Sequence, residues 1–323
     1  MSVVEAPPRI VTNDHAKFHM LIAKAQKQAP IKVAVAHPCD EVSLESAVKA
    51  AELRLMEPIL VGPEQRIREV AAKHGLDISR FEIIDSAHSH ESAAKAVELV
   101  REGRAAALMK ASLHTDELMA AVVKRETGLR TARRISHCFI MDVPDHEHPL
   151  IITDAAVNIA PDLAAKVHIT QNAIDLAKAL GQPEVRVAIL SAMESVNPDV
   201  PSTLEAAALC KMADRGQITG AMLDGPLALD NAISPEAAAI KNITSPVAGR
   251  ATVLVVPDLE AGNMLAKSLS FLADADAAGI VLGAKVPIIL TSRADEETAR
   301  LASCAVAQLL VAARSRDANS SIQ

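Results

Sequence analysis

Short apolar runs alternate with amphipathic segments along almost the whole chain, and this alternation restricts the fold more than any other feature of the sequence. The runs are IKVAVA (Ile31 to Ala36), PILVG (Pro58 to Gly62), FEIID (Phe81 to Asp85), AAALM (Ala105 to Met109), CFIMD (Cys138 to Asp142) and LIITD (Leu150 to Asp154). They continue with VRVAILS (Val185 to Ser191), GAMLD (Gly220 to Asp224), ATVLVV (Ala251 to Val256), GIVLG (Gly279 to Gly283) and PIILT (Pro287 to Thr291). Most are apolar at successive positions, as strands covered on both faces are. Helical segments with clear starts lie between them: Ser43 to Arg54, Pro63 to His74 and His90 to Arg101, which open on acids or a cap and close on a base, then one from Thr115, one from Pro161 to Gly181 and one from Pro201 to Ala213. Regular alternation of this kind implies a mostly parallel sheet with helices on both faces.

At 323 residues the chain is long enough for two domains. The stretch VPDHEHPL, from Val143 to Leu150, breaks the rhythm near the middle and marks a crossover, and the last helix, about Asp295 to Ala313, is apolar enough to pack back on the first half. The expected division is therefore a discontinuous first domain, 1–143 with 295–323, and an inserted second domain, 144–294. The tail SRDANSSIQ is polar and expected to fray.

With no Trp, no Tyr and four Phe, the core is built from aliphatic side chains and Met, and functions that need aromatic platforms for single-stranded nucleic acid or for sugars are disfavoured. A formal charge of -7 gives no basic field for nucleic acid or anionic lipid. The four cysteines, Cys39, Cys138, Cys210 and Cys304, contain no CxxC pair and read as reduced thiols. The first residues do not have the pattern of a secretory signal, and no apolar run approaches the ~20 residues that span a bilayer, so a soluble, cytoplasmic protein is expected.

The sequence holds no GxxxxGK[ST], no GxGxxG after a strand, no GxSxG and no HExxH. Two H-x-H pairs, His88 with His90 and His146 with His148, lie outside the expected strands and read as solvated loop histidines rather than metal ligands. In VPIILTSRADEETARL a buried strand ends at Thr291, Ser292 and Arg293 follow, and Asp295, Glu296 and Glu297 open a helix. The C-terminal edge of an open α/β sheet is where ligands sit, and a hydroxyl with a planar guanidinium suits phosphate. Alternatively, Ser292 is a plain cap and Arg293 pairs with the acids. In LMKASLHTDELM a strand runs into the turn Ser112 to Thr115, which either holds phosphate on backbone N–H groups and the hydroxyls of Ser112 and Thr115 or is simply a capped connection. Two more polar clusters follow strands: TDAAVN, from Thr153 to Asn158, and DGPLALDNAIS, where Asp224 and Asp230 are bases, metal ligands or caps.

Taken in order, these segments resemble the phosphate acetyltransferase and phosphate butyryltransferase family of CoA-dependent acyltransferases. LMKASLHT, GLRTARRISHCFIMD, ITDAAVNIAPD, MLDGPLALDNAIS, VLVVPDLEAGNMLAKSL and VPIILTSRAD carry the resemblance, which covers nearly the whole chain beyond about Ala16. It implies two Rossmann-like three-layer α/β domains in the arrangement shared with isocitrate and isopropylmalate dehydrogenases, with a cleft between them, and a homodimer. It also implies the reaction of acyl-CoA with inorganic phosphate to give acyl phosphate and CoA, with CoA as substrate and neither cofactor nor metal. The family's Ser-Arg pair corresponds to Ser292 and Arg293, and the implied substrate-binding positions are Ser112, His114, Thr115, Arg130, Asn158, Asp230, Asn263 and Lys267. The aspartate that the acetyltransferases place seven residues after the serine is Ala299 here, so the thiol base does not carry over directly; Asp295, Glu296 and Glu297 are the nearby substitutes, Asp295 the preferred one. The arginine of the helix after the Ser-Thr turn is also missing, with Met119 and Ala120 in its place, and the SRAD wording is nearer the butyryltransferases. Two rival readings remain: a metal-dependent decarboxylating dehydrogenase of the same fold using Asp224 and Asp230, and a non-catalytic paralogue that senses CoA or acyl phosphate.

Overall fold

The computed structural model describes residues 15–144, 146–291 and 295–320. Eleven strands form one sheet in the order β3-β2-β1-β4-β11-β10-β5-β6-β9-β7-β8. The strands are β1 (Ile31–Ala36), β2 (Met56–Val61), β3 (Glu82–Ile84), β4 (Ala107–Lys110), β5 (Ser136–Asp142) and β6 (Leu150–Thr153), then β7 (Arg186–Leu190), β8 (Met222–Leu227), β9 (Val253–Val255), β10 (Asp276–Leu282) and β11 (Ile288–Ile289). Each expected apolar run contributes a strand. The sheet is mostly parallel, with one departure at its centre: β10 runs antiparallel to both β11 and β5, and β5 antiparallel to β6. The parallel set β3-β2-β1-β4-β11 and the parallel set β6-β9-β7-β8 therefore run in opposite directions. The stretch after Val143 is the connection between the antiparallel strands β5 and β6.

The expected helices appear within a few residues of their signals as α2 (Glu41–Glu52), α3 (Glu64–His74), α4 (Ser89–Arg101), α5 (Thr115–Val122), α6 (Leu163–Ala179) and α7 (Pro201–Asp214). Caps set several starts: the Asp40 carboxylate accepts the Ser43 N–H at 2.9 Å, and that of Asp162 the Ala165 N–H at 2.8 Å. Four elements go beyond the sequence reading: α1 (Ala16–Ala25), α8 (Leu229–Ile233), α9 (Pro235–Ile240) and α10 (Leu259–Leu272). The last helix, α11 (Glu297–Ser320), continues well past Ala313 rather than fraying there.

Alternate residues of each strand face opposite sides, which sorts the core. One side carries a single apolar cluster that runs under α1, α2, α3, α6, α7 and α11, from Val33 and Met109 through Ile280 and Ile140 to Val187. The other side carries two separate clusters. One lies under α4 and α5 and includes Leu108, Val281 and Ile288; the other lies under α8, α9 and α10 and includes Met141, Ile152 and Leu254. Between them, on that face, Leu290, Gly279 and Phe139 form a row across the sheet, with Leu290 N–H on the Gly279 carbonyl and Gly279 opposite Phe139. Gly279 has no alternative there. A Cβ would stand 2.4 Å from the Leu290 carbonyl oxygen and 3.1 Å from His137 Nε2. No described helix is long and apolar enough to cross a membrane.

Candidate active site

The turns that leave β1 and β4 are tied to each other through the backbone. His37, in the left-handed region at φ 61°, turns its carbonyl oxygen toward Ser112, whose N–H and Oγ both donate to it, at 3.1 and 2.5 Å. The Ser112 Oγ also accepts the Cys39 N–H at 3.0 Å. Behind this turn His37 Nδ1 meets Ser92 Oγ at 2.9 Å and Ser92 Oγ meets Ser86 Oγ at 2.7 Å, a hydroxyl chain that fixes the ring. Burial, with Arg66 second, lowers the His37 pKa from its ordinary value, so at neutral pH the ring is uncharged.

β11 runs out at the same edge. Ile289 lies beside Met109, so Ser112 and position 292 both fall three residues beyond a paired position. The chain passes through the buried Thr291 into 292–294; Ser292 and Arg293 lie outside the described residues. It re-emerges at Asp295, which is partly buried and whose carbonyl accepts from Arg300 Nη1. Arg300 Nε donates to Ser46 Oγ at 2.7 Å and Glu297 pairs with Lys49, so the start of α11 is anchored on α2. Ala299 is 2% exposed within the core. A carboxylate in its place would be buried among aliphatic groups.

His114 and Thr115 are exposed at the start of α5. The His114 N–H donates to Glu117 Oε2 at 2.9 Å and Ser89 Oγ to Glu117 Oε1 at 2.8 Å, and these bonds hold the Glu117 carboxyl below its usual range. Lys110, which the sequence reading passed over, ends β4 on the face shared with Leu108; its Nζ lies 3.3 Å from the Ala111 carbonyl and 3.2 Å from that of Leu113. The signal was a lone base closing an otherwise apolar strand.

The remaining candidates gather at the opposite edge, where β6, β9, β7 and β8 end. The Asp154 carboxylate, 2% exposed, accepts the N–H groups of Ala156, Val157 and Asn158 at 3.0, 3.0 and 3.1 Å. Asn158 Nδ2 donates to the Ile135 carbonyl at 2.9 Å, and its Oδ1 accepts from Arg134 Nε at 2.6 Å. Asn263 Nδ2 donates to the Ala155 carbonyl at 3.3 Å, and α10 can come that close because residue 262 is glycine: a Cβ there would be 2.9 Å from that of Ala155. Lys267 is exposed one turn further along α10, and Asp230 is exposed in the first turn of α8. Asp224 Oδ1 accepts the Gly225 N–H at 2.8 Å. Arg130 is bridged to Ala284, six residues along the chain from Ala278. The structure thus brings Ser112, His114, Thr115 and Asp295 to one edge, and Arg130, Asn158, Asp230, Asn263 and Lys267 to the other.

Of the paired histidines, His88 caps α4 by accepting the Glu91 N–H at 3.2 Å, and His146 Nδ1 lies 2.8 Å from the His148 carbonyl. The described residues include no group of three His, Cys, Asp or Glu side chains that could hold a metal ion. Burial pushes the thiol of Cys39 up to about 11 and those of Cys138, Cys210 and Cys304 up to about 12, which leaves all four protonated at neutral pH.

Residues 87–308 match the family model described as phosphate acetyl/butaryl transferase. A phosphate acetyltransferase of Rhizobium meliloti is 66% identical over 93% of this chain and 95% of its own. A phosphate butyryltransferase of Clostridium acetobutylicum is 40% identical over 91% and 97%. Among solved structures, a branched-chain phosphotransacylase from Enterococcus faecalis superimposes with a TM-score of 0.76 at 31% identity, covering 87% of this chain and 99% of its own. A phosphotransacetylase from Streptococcus pyogenes reaches 0.80 over 91% and 98%, and at 22% identity it speaks to the fold alone.

Proposed function

The chain belongs to the phosphate acetyltransferase and phosphate butyryltransferase family, and from that premise we propose that it interconverts acyl-CoA plus inorganic phosphate with acyl phosphate plus CoA, acetyl being the preferred acyl group. The observation that carries this reading is the meeting of two strand exits at one edge, β4 into the Ser112 turn and β11 toward Ser292 and Arg293. The preference for acetyl rests on 66% identity to an acetyltransferase against 40% to a butyryltransferase.

In this mechanism the CoA thiol, near ~8.5 when free, loses its proton to Asp295 and the thiolate attacks the acyl carbonyl as phosphate leaves. Asp295 is taken as the base because it is the described acid nearest Ser292 and Arg293 along the chain, and Ala299 is buried. Arg293 binds the departing phosphate and offsets its charge, and Ser292 hydrogen-bonds the reacting oxygen. Ser112, His114 and Thr115 complete the phosphate end. Both substrates are held together and no covalent enzyme intermediate forms, so proximity supplies much of the acceleration.

Arg130, Asn158, Asp230, Asn263 and Lys267 bind the remainder of CoA from the second half. Sheet twist makes this compatible with their position on the opposite edge. Six steps separate β1 from β9. At about 20–25° each they turn the strand direction by about 120–150°. Two topologically opposed sets are thereby rotated toward a common side, and the gap between the two clusters over β10 and β5 is the cleft. We take the halves as 1–143 with 295–323 and 144–294, in the dehydrogenase-like arrangement, with β10 and β11 passing between them. With no Trp or Tyr in the chain and Phe18 buried, the adenine rests on aliphatic or guanidinium groups rather than between rings.

The test is acyl-CoA of graded chain length with phosphate, following thiol release. The wild-type chain is expected to release thiol only with phosphate present and fastest with acetyl-CoA. Arg293→Ala should lower turnover about 10²- to 10³-fold. Unchanged phosphate-dependent cleavage in that variant would overturn the role of Arg293, and no cleavage with any chain length would overturn the activity.

A further inference from the structure

We infer, on the premise of the acyltransferase reading, that Lys110 is a second cation on the phosphate at the catalytic edge, acting beside Arg293. β4 and β11 run parallel and leave the sheet together, with Ile289 paired to Met109. Lys110 and Leu290 each come one residue beyond that pair, and two residues of chain then lead from Leu290 to Ser292. Within β4 the side chains alternate: Ala107 and Met109 belong to the continuous cluster on one face, and Leu108 to the cluster under α4 and α5 on the other. Lys110 therefore stands on the face of Leu108, where that cluster and the one under α8, α9 and α10 leave a gap between them.

Its place in the sheet sets Lys110 apart from the other bases. Of the five parallel strands that end at this edge, β1, β2, β3 and β11 end on Ala36, Val61, Ile84 and Ile289, and β4 alone ends on a charge. A lysine that merely closes a strand extends its stem to bring the ammonium into water. Lys110 is partly buried instead, and its Nζ turns back toward the carbonyls of Ala111 and Leu113, at 3.3 and 3.2 Å. Those contacts keep the ammonium at the turn that carries Ser112, His114 and Thr115. Arg66, near enough to lower the pKa of His37, is exposed on α3 and follows β2, which β1 separates from β4.

The chemistry of the edge calls for such a group. Phosphate enters and leaves the reaction as an anion. Asp40 at the start of α2, Glu117 in the first turn of α5 and Asp295 before α11 bring three carboxylates to the same edge. His37 is uncharged at neutral pH and offsets none of that charge. The sequence also lacks, at Met119 and Ala120, the arginine expected in the helix after the Ser-Thr turn. A guanidinium and an ammonium on adjoining strand exits supply what is missing: Arg293 makes the planar, two-point contact, and Lys110 is the point charge that stays with the phosphate as its bond to the acyl carbon breaks.

The experiment has a kinetic arm and a binding arm, both on the full chain. With phosphate varied in the cleavage of acetyl-CoA, Lys110→Met should lower kcat/KM for phosphate about 10-fold or more, the loss expected of one charge-assisted contact, while KM for acetyl-CoA moves by less than about 3-fold. Lys110→Gln, which keeps a donor for the two carbonyls without the charge, should lose as much, and Lys110→Arg should recover most of the loss. Arg66→Met, which removes a charge two strands away, should change neither constant by more than about 3-fold. Calorimetric titration of inorganic phosphate needs no turnover, and its affinity should fall about 10-fold in Lys110→Met and Lys110→Gln. An unchanged kcat/KM for phosphate in these two variants, an equal loss in Arg66→Met, or an equal rise in KM for acetyl-CoA would overturn the proposal, the last by showing that Lys110 only supports the turn. Phosphate binding that depends on Lys110 in a chain that cleaves no acyl-CoA would uphold the site and overturn the acyltransferase reading instead.

Discussion

His137 is fully buried on β5, edge-on to Phe139 at 4.5 Å, and neither ring nitrogen has a hydrogen-bond partner. Burial pushes its pKa down to about 4, with Asp154 pulling the other way. As pH falls below 6.5 the unfolded chain takes up a proton that the folded chain refuses until about 4. The stability this ring contributes is therefore complete above pH 6.5 and lost progressively down to about 4, by about 3 kcal/mol in all. Urea unfolding between pH 4.5 and 7.5 should show that slope, and His137→Gln should flatten it; an equal slope in the variant would assign the loss to other groups. Nothing in SHCFIMD announces this behaviour. Ser292 and Arg293, by contrast, were singled out by a local pattern, a strand that ends in a hydroxyl and a guanidinium before an acidic helix start, and it was the resemblance that implied a role for them.

At the scale of elements the least legible piece is α1. Asp142, 1% exposed at the end of β5, accepts the N–H groups of Lys17 and Phe18, each at 3.1 Å, and the Lys17 Nζ at 2.9 Å. The partners are 125 residues apart, so no window of sequence could pair them. Asp142→Ala leaves two helix N–H groups without an acceptor and a buried ammonium held by the Val143 carbonyl alone, and should cost about 3–5 kcal/mol. Replacing both partners together, Lys17→Met with Asp142→Leu, should cost less than either alone. The readings are the denaturant midpoint and amide exchange along α1, which should quicken in Asp142→Ala first; protected α1 amides in that variant would show that contacts with α11 suffice to hold the helix. The central strands make the same point. Apolar runs identify β5 and β10 as strands, yet only the partners they meet make them antiparallel.

At the scale of the molecule, α10 and α9 present Met264, Phe271, Leu272 and Ile240 at 63%, 84%, 85% and 80% exposure. Side chains of that size are seldom left in water together, and we propose that a second copy of the chain covers them. Sedimentation of the wild-type chain should give a dimer, and Phe271→Glu with Leu272→Glu should shift it to monomer; a dimer that survives both changes would place the interface elsewhere. What the sequence determined by itself is whatever is written locally. Apolar runs and caps fixed the strands and most helices, and the order of polar turns fixed the family, because each signal is complete within about a dozen residues. What only the tertiary structure decided is which turns share an edge, and which apolar face is closed by one cluster and which is split by two. Those outcomes depend on strand order and register, which arise from the pairing of distant segments, and no stretch of the chain records them alone.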